Sequence, residues 1–227
     1  MRIDILTLFP EMFIGPFSES ILARAQAQNL VEIQIHQLRD FATDKHGTVD
    51  DTPYGGGPGM VLKIDILARA IRSIAELSTK PPLVVLLTPT GIRLTQSVLR
   101  DRLLNQQRLL LICGHYEGFD DRITQYIDLE LSLGDFVLTG GEIAAMAVTD
   151  ALVRLMPGVL GDDDSSQHDS FNINNLLDHP SYTRPLEFEG QRVPDILLSG
   201  NHAAIAAWRL EQAIRRTRQT RPDLLSD

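Results

Sequence analysis

The sequence predicts an α/β fold built on a largely parallel sheet, followed by a small, mostly helical C-terminal domain. Three observations carry this expectation. The stretches "PLVVLLTP" (82–89) and "RLLLICG" (108–114) are continuous apolar runs, the pattern of strands covered on both faces. Segments with helical spacing alternate with such runs through about residue 157. After that the texture changes: "GDDDSSQHDSFNINN" (161–175) is almost devoid of apolar residues and reads as a flexible linker.

In chain order, "MRIDILTLFPEMF" opens with a strand. Asp4 and Pro10 interrupt its apolar run, which makes it a poor signal peptide. "SESILARAQAQN" begins on serine and has helical spacing, and "VEIQIHQL" alternates Val31, Ile33 and Ile35 as a strand does. "DILARAIRSIAEL" places Leu67, Ile71 and Ile74 on one side of a helix, with Asp65 as its expected N-cap. "TQSVLRDRLLNQ" reads as a helix between the two buried strands. "LSLGDFVLTGGEIAAMAVTDALVRLMPGVLG" (131–161) reads as a strand, a glycine-lined turn and an alanine-rich helix ending at Pro157-Gly158. A proline-punctuated stretch then leads into one clear helix from about Asn201. The expected organisation is a domain over 1–160, a linker over 161–175 and a helical domain over 176–227.

Composition narrows the class. An apolar share of 43% and a charged share of 22% are ordinary for a soluble globular chain. No apolar run approaches the roughly 20 residues that cross a bilayer, so a cytoplasmic location and no membrane partner are expected. A single cysteine, Cys113, excludes an intrachain disulfide, and its place in "RLLLIC" favours a buried structural thiol. The six histidines show no metal-ligand spacing, so no protein-ligated structural metal is expected. A net charge of −9 argues against a generic nucleic-acid coat. Locally, however, "WRLEQAIRRTRQTRPDLL" gathers Arg209, Arg215, Arg216, Arg218 and Arg221, either as a solvated helix face or as a surface for phosphates.

Three glycine-containing loops follow apolar runs: "TPTG" (88–91), "CGHYEGFDDR" (113–122) and "LGDFVLTGG" (133–141). Ligands of open α/β sheets collect where such loops converge. None matches a dinucleotide or P-loop fingerprint, so a triphosphate lacks its usual cradle. Short glycine turns mostly connect elements. They also suit a ligand read through backbone N–H and C=O groups.

The motifs "DDTPYGGGPGMVLK", "LICGHYEGFDDRI", "LGDFVLTGGEIAAMAVTDALVRLMPGVLG", "HDSF", "HPSYTRP" and "LLSGNHAAIAAWR" occur in one order. Together they resemble the bacterial tRNA (guanine-N1)-methyltransferase family of the SPOUT class, from Arg2 to about Leu225. The resemblance implies a deep trefoil knot in the α/β domain and S-adenosyl-L-methionine as methyl donor. It also implies an obligate homodimer with active sites at the interface, and the anticodon arm of tRNA as partner. It leaves Mg2+ as an assisting ion that the residues themselves do not specify.

Position by position, the resemblance places Pro89 and Gly114 in the donor pocket. It adds Ser132, Leu133, Gly134, Asp135, Phe136, Val137 and Leu138 of "SLGDFVL", with Gly140 and Gly141 closing the turn. Asp169 of "HDSF" matches the family's general base and Arg154 its partner arginine. On the residues alone Asp169 reads as a solvated linker carboxylate, and Arg154 as a cation at a helix C-terminus. Many members carry Arg where this chain has His115, which reads here as an ordinary loop histidine. The glycine-rich "DDTPYGGGPGM" reads as a flexible loop near the RNA or the dimer partner. Two other classes fit less of the chain: a knotted methyltransferase with another RNA target, and a silent RNA-binding relative.

Overall fold

The computed structural model describes residues 1–161, 169–172 and 175–225. Most of the expected linker, at 162–168 and 173–174, lies outside the described residues. The chain divides into two units, Met1–Gly161 and Asp162–Asp227.

The strands of the first unit are β1 (Arg2–Thr7), β2 (Glu32–Gln37), β3 (Asp50–Asp51), β4 (Val61–Leu62), β5 (Leu83–Arg93), β6 (Arg108–Cys113) and β7 (Leu129–Ser132). Five of them form one sheet in the order β2-β1-β6-β5-β7, every neighbouring pair parallel. β3 and β4 form a separate short antiparallel pair. Helices α1 (Ile14–Phe17), α2 (Ser20–Ala27), α3 (Ile64–Glu76) and α4 (Gln96–Val98) run between the strands, and α5 (Glu142–Val153) follows β7.

The alternation of side chains along the central strands divides the core in two. Ile3, Ile5, Leu109, Leu111 and Cys113 pack on one face with Ala145, Val148 and Leu152 of α5. Leu6, Leu110, Ile112 and Leu86 pack on the other with Ile66, Leu67, Ala70 and Ile74 of α3. Such two-sided covering is why these strands read as unbroken apolar runs.

The second face also buries a charge cluster. Asp4 and Arg108 are both within 2% of full burial, and the Arg108 Nε–H donates to Asp4 Oδ2 at 2.8 Å. The same guanidinium donates to the carbonyls of Ile74 at 2.5 Å and Ala75 at 3.0 Å at the end of α3, adding to the bond that Ile74 O accepts from Leu77 N–H at 3.1 Å. Arg2 and His36 complete the shell around Asp4. Burial pushes the Asp4 carboxyl up, but hydrogen bonds from His36, Arg2 and Arg108 outweigh it and hold the group well below the usual carboxylate range.

Several expected boundaries move. The N-cap of α3 is Lys63, and Asp65 lies inside the first turn, where its charge still favours the helix N-terminus. The helix expected over 95–106 is a short α4 followed by a widened turn over Leu99–Leu103, closed by Leu104 N–H to Leu99 O at 2.8 Å. That i→i+5 pattern keeps Leu99 and Leu103 buried. β7 stops at Ser132, so "LGDFVLTGG" is irregular chain, and α5 stops at Val153 with Arg154 as its C-cap, short of Pro157.

In the second unit the long helix α6 (His202–Thr220) starts where Asn201 caps it, the side chain accepting from Ala204 N–H at 3.1 Å. A two-residue hairpin pairs β8 (Glu187–Phe188) with β9 (Gln191–Arg192). Thr217, fully buried on α6, accepts from Leu177 N–H at 2.9 Å and donates to Ala213 O at 2.8 Å, docking the 176–178 segment on the helix.

Candidate active site

The three glycine loops converge beyond the carboxyl ends of β6 and β7, alongside the second half of β5. They enclose a pocket of about 470 Å3, in the range that takes a small ligand. Two close backbone approaches build it. At Gly91, where β5 shifts register against its sheet neighbour β7, a Cβ would fall 2.5 Å from Glu130 C and 2.7 Å from its oxygen. At Gly141 the start of α5 passes over the end of β6, where a Cβ would fall 2.6 Å from Cys113 Cα and 2.7 Å from Gly114 N. Gly141 N–H donates to Gly114 O across that second approach at 2.8 Å. Only a residue without a side chain allows either approach.

Nine of the eleven residues expected at a donor site line this one pocket. Pro89 comes from β5, Gly114 from the end of β6, and Ser132 from the end of β7. Leu133, Phe136, Val137, Leu138, Gly140 and Gly141 come from the segment before α5. Gly134 and Asp135 do not line it. They form the bend between Leu133 and Phe136, where Gly134 N–H donates to Ser132 Oγ at 3.2 Å and Phe136 N–H to Gly134 O at 2.9 Å.

Among the described residues the lining contains Glu117, Asp121 and Glu130 and no lysine or arginine. Sequence reasoning did not assign these carboxylates, although Glu117 stands within "GHYEG". The glycine-rich 55–60 loop supports Glu117 directly. Glu117 N–H donates to Met60 O at 3.0 Å, and the Glu117 side chain packs so closely on Gly59 that a Cβ would collide with it. Thr90 Oγ1 donates to Glu130 Oε2 at 3.3 Å. His115 also lines the pocket, its ring tilted against Phe9 at 4.9 Å and edge-on to Tyr116 at 5.0 Å between centroids. Cys113, directly beneath, is buried. Desolvation and the nearby Glu142 push its thiol well up, so it is protonated and inert.

Arg154 and Asp169 belong to different units. Arg154 is partly buried at the C-terminus of α5. Asp169 is partly buried at the start of a short turn, where Asn172 N–H donates to Asp169 O at 3.3 Å. Phe171 N–H to Leu176 O at 2.7 Å and Asp178 N–H to Ser170 Oγ at 2.9 Å close the same loop back onto the 176–178 segment. The backbone of this loop is thereby tied through Leu177 and Thr217 to α6. On α6 itself Arg209, Arg215, Arg216 and Arg218 are exposed. Among the described residues no helix is long and apolar enough to cross a membrane.

The sequence model of one family, described as tRNA (Guanine-1)-methyltransferase TrmD, matches residues 1–227. The tRNA (guanine-N(1)-)-methyltransferase of Dehalococcoides mccartyi is 57% identical over 226 residues, which cover 99% of this chain and 90% of that protein. The protein of the same name from Citrifermentans bemidjiense is 54% identical over 226 residues, covering 99% and 90%. That of Chloroflexus aurantiacus is 54% identical over 227 residues, covering 100% and 88%.

Proposed function

The chain belongs to the tRNA (guanine-1)-methyltransferase family, and we propose that it transfers a methyl group from S-adenosyl-L-methionine to N1 of the guanosine immediately 3′ of the anticodon in tRNA. The observation that carries the donor assignment is the charge of the pocket: among the described residues, three carboxylates and no lysine or arginine. A nucleoside triphosphate would be repelled there. S-adenosylmethionine carries a sulfonium and an ammonium against a single carboxylate, and its adenine suits a wall of backbone N–H and C=O groups. The fit is one of charge, size and backbone exposure together. When bound, the donor supplies an activated methyl group. The close approaches at Gly91 and Gly141 support reading this domain as the deep trefoil knot of the SPOUT class.

Guanine N1 is a poor nucleophile because it bears a proton and its lone pair is delocalised. In the proposed mechanism Asp169 takes that proton as N1 is methylated, an assistance typically worth about 10²–10⁴-fold. Arg154 stabilises the negative charge that accumulates on O6. No step uses Mg2+, and a role for it stays outside the mechanism.

The active form is proposed to be a homodimer with its sites at the interface. The first unit exposes Phe9, Met12 and Ile14 from one segment, and Phe136, Val137 and Ile143 beside the pocket, an apolar surface suited to a second copy. The second unit, with its exposed arginines, is proposed to grip the anticodon arm, and 161–175 to join the two domains. Calorimetric titration tests the donor reading. S-adenosylmethionine should bind and ATP should not. Tighter binding of ATP than of S-adenosylmethionine would refute it.

A further inference from the structure

Behind the pocket wall lies a buried acid that the proposed chemistry does not use. Glu142 is the first residue of α5, is only 2% exposed, and does not line the pocket. One carboxylate oxygen, Oε1, accepts from the hydroxyl of Thr7 at 2.7 Å. Thr7 is itself buried, at the end of β1, and its Oγ1 also accepts from Phe9 N–H at 2.9 Å. The Phe9 ring in turn packs tilted against His115, 4.9 Å between centroids.

The other oxygen, Oε2, faces Gly140. A Cβ at Gly140 would collide with it, and would fall 2.8 Å from His115 Nδ1. That imidazole nitrogen is buried and has no hydrogen-bond partner among the described residues. Gly140 is thus held between the Glu142 carboxylate and the His115 ring, and both Gly140 and His115 line the pocket. The end of β1 and the turn before α5 meet at this carboxylate, and the loop after β6 closes on Gly140 beside it.

We propose that Glu142 is a positioning residue for the methyl-donor site, holding the 138–141 turn and the His115 loop in register through its hydrogen bond to Thr7. The inference rests on the donor reading of the pocket. A buried carboxylate at this junction gives the wall a single geometry. An apolar residue there would leave the Thr7 hydroxyl without its acceptor and let the turn drift away from the β6 loop.

The test is donor binding by calorimetry to the full chain and its variants, together with KM for donor and for tRNA. Thr7→Val keeps shape and removes the hydroxyl. It should weaken donor binding about tenfold, the scale of a lost hydrogen bond to a charged group, and leave KM for tRNA unchanged. Thr7→Ser should restore binding to within about threefold. Glu142→Met, which removes the acceptor at similar side-chain length, should weaken it to a similar degree, and the double variant Thr7→Val/Glu142→Met should be no weaker than Thr7→Val alone, because both remove one link. If Thr7→Val does not fold, the comparison of Glu142→Met with Thr7→Ser carries the same decision. Donor affinity equal to that of the unaltered chain in Thr7→Val and Glu142→Met overturns the inference alone. Additive losses in the double variant also overturn it. No donor binding by the unaltered chain overturns the donor reading and this inference with it.

Discussion

Replacing Gly141 by alanine isolates the close crossing beneath the pocket. Gly141 has φ −79° and ψ −6°, a conformation any residue adopts, so backbone strain plays no part. The whole effect comes from the added methyl group, 2.6 Å from Cys113 Cα, 2.7 Å from Gly114 N and 3.1 Å from Cys113 C. Carbon atoms prefer about 3.5–4.0 Å, so the two segments must separate by roughly 1 Å. All three neighbours are backbone atoms at the end of a central strand and cannot rotate away. Separation also breaks the 2.8 Å bond from Gly141 N–H to Gly114 O. Overpacking costs about 1–3 kcal/mol and the hydrogen bond about 1 kcal/mol, together roughly 2–4 kcal/mol. Expressed as an opened turn, that weakens donor binding about 30- to 700-fold. Expressed globally, it lowers the melting temperature by about 4–16 °C for a chain of this size. Gly15→Ala, which meets nothing within 4 Å, serves as the control. A Gly141→Ala protein with unchanged melting temperature and donor affinity would refute the crossing as a determinant of the site.

Three further outcomes are expected. Asp169→Ala should abolish methyl transfer while leaving donor affinity within about threefold, measured by single-turnover kinetics and calorimetry; undiminished turnover would remove Asp169 as the base. Asp4→Asn should destabilise the protein by about 3–5 kcal/mol at pH 7 in urea melts, because Arg108 loses its buried counter-charge. The folded-state pKa of Asp4 is depressed, so its contribution is complete above the unfolded carboxylate value, near about 4. It is lost as pH falls through the folded value. The gap between wild type and variant should therefore narrow in acid, and a gap that widens below pH 4 would contradict the assignment. Finally, tRNA affinity should fall steeply with salt while donor affinity changes little, and parallel salt slopes would argue against phosphate contacts by the α6 arginines.

The strands and α3 are legible in the sequence because two-sided burial and a 3.6-residue period each leave a local pattern. β5 and β6 declare themselves as apolar runs, and Leu67, Ile71 and Ile74 mark the buried face of α3. The widened turn at Leu99–Leu103 leaves no such trace, since it arises from fitting two leucines into the core. Arg108 is hidden for a similar reason. At the head of "RLLLIC" it looks like an exposed strand entry, whereas Asp4 and the last carbonyls of α3 make burial favourable. Gly91 and Gly141 look like any turn glycine, because the segments they approach are remote in sequence. The carboxylate lining of the pocket is equally silent, for Glu117, Asp121 and Glu130 converge only in the fold. The roles of Asp169 and Arg154 come from resemblance to a family, not from any pattern of their own.

The most direct test of the proposed reaction is methyl transfer from labelled S-adenosylmethionine to two unmodified tRNA transcripts that differ only in G or A immediately 3′ of the anticodon. A primer-extension stop would map the product. Label and a stop on the G transcript alone are predicted, and fix donor, atom and position together. Label on both transcripts, or on neither despite measurable donor binding, would contradict the account.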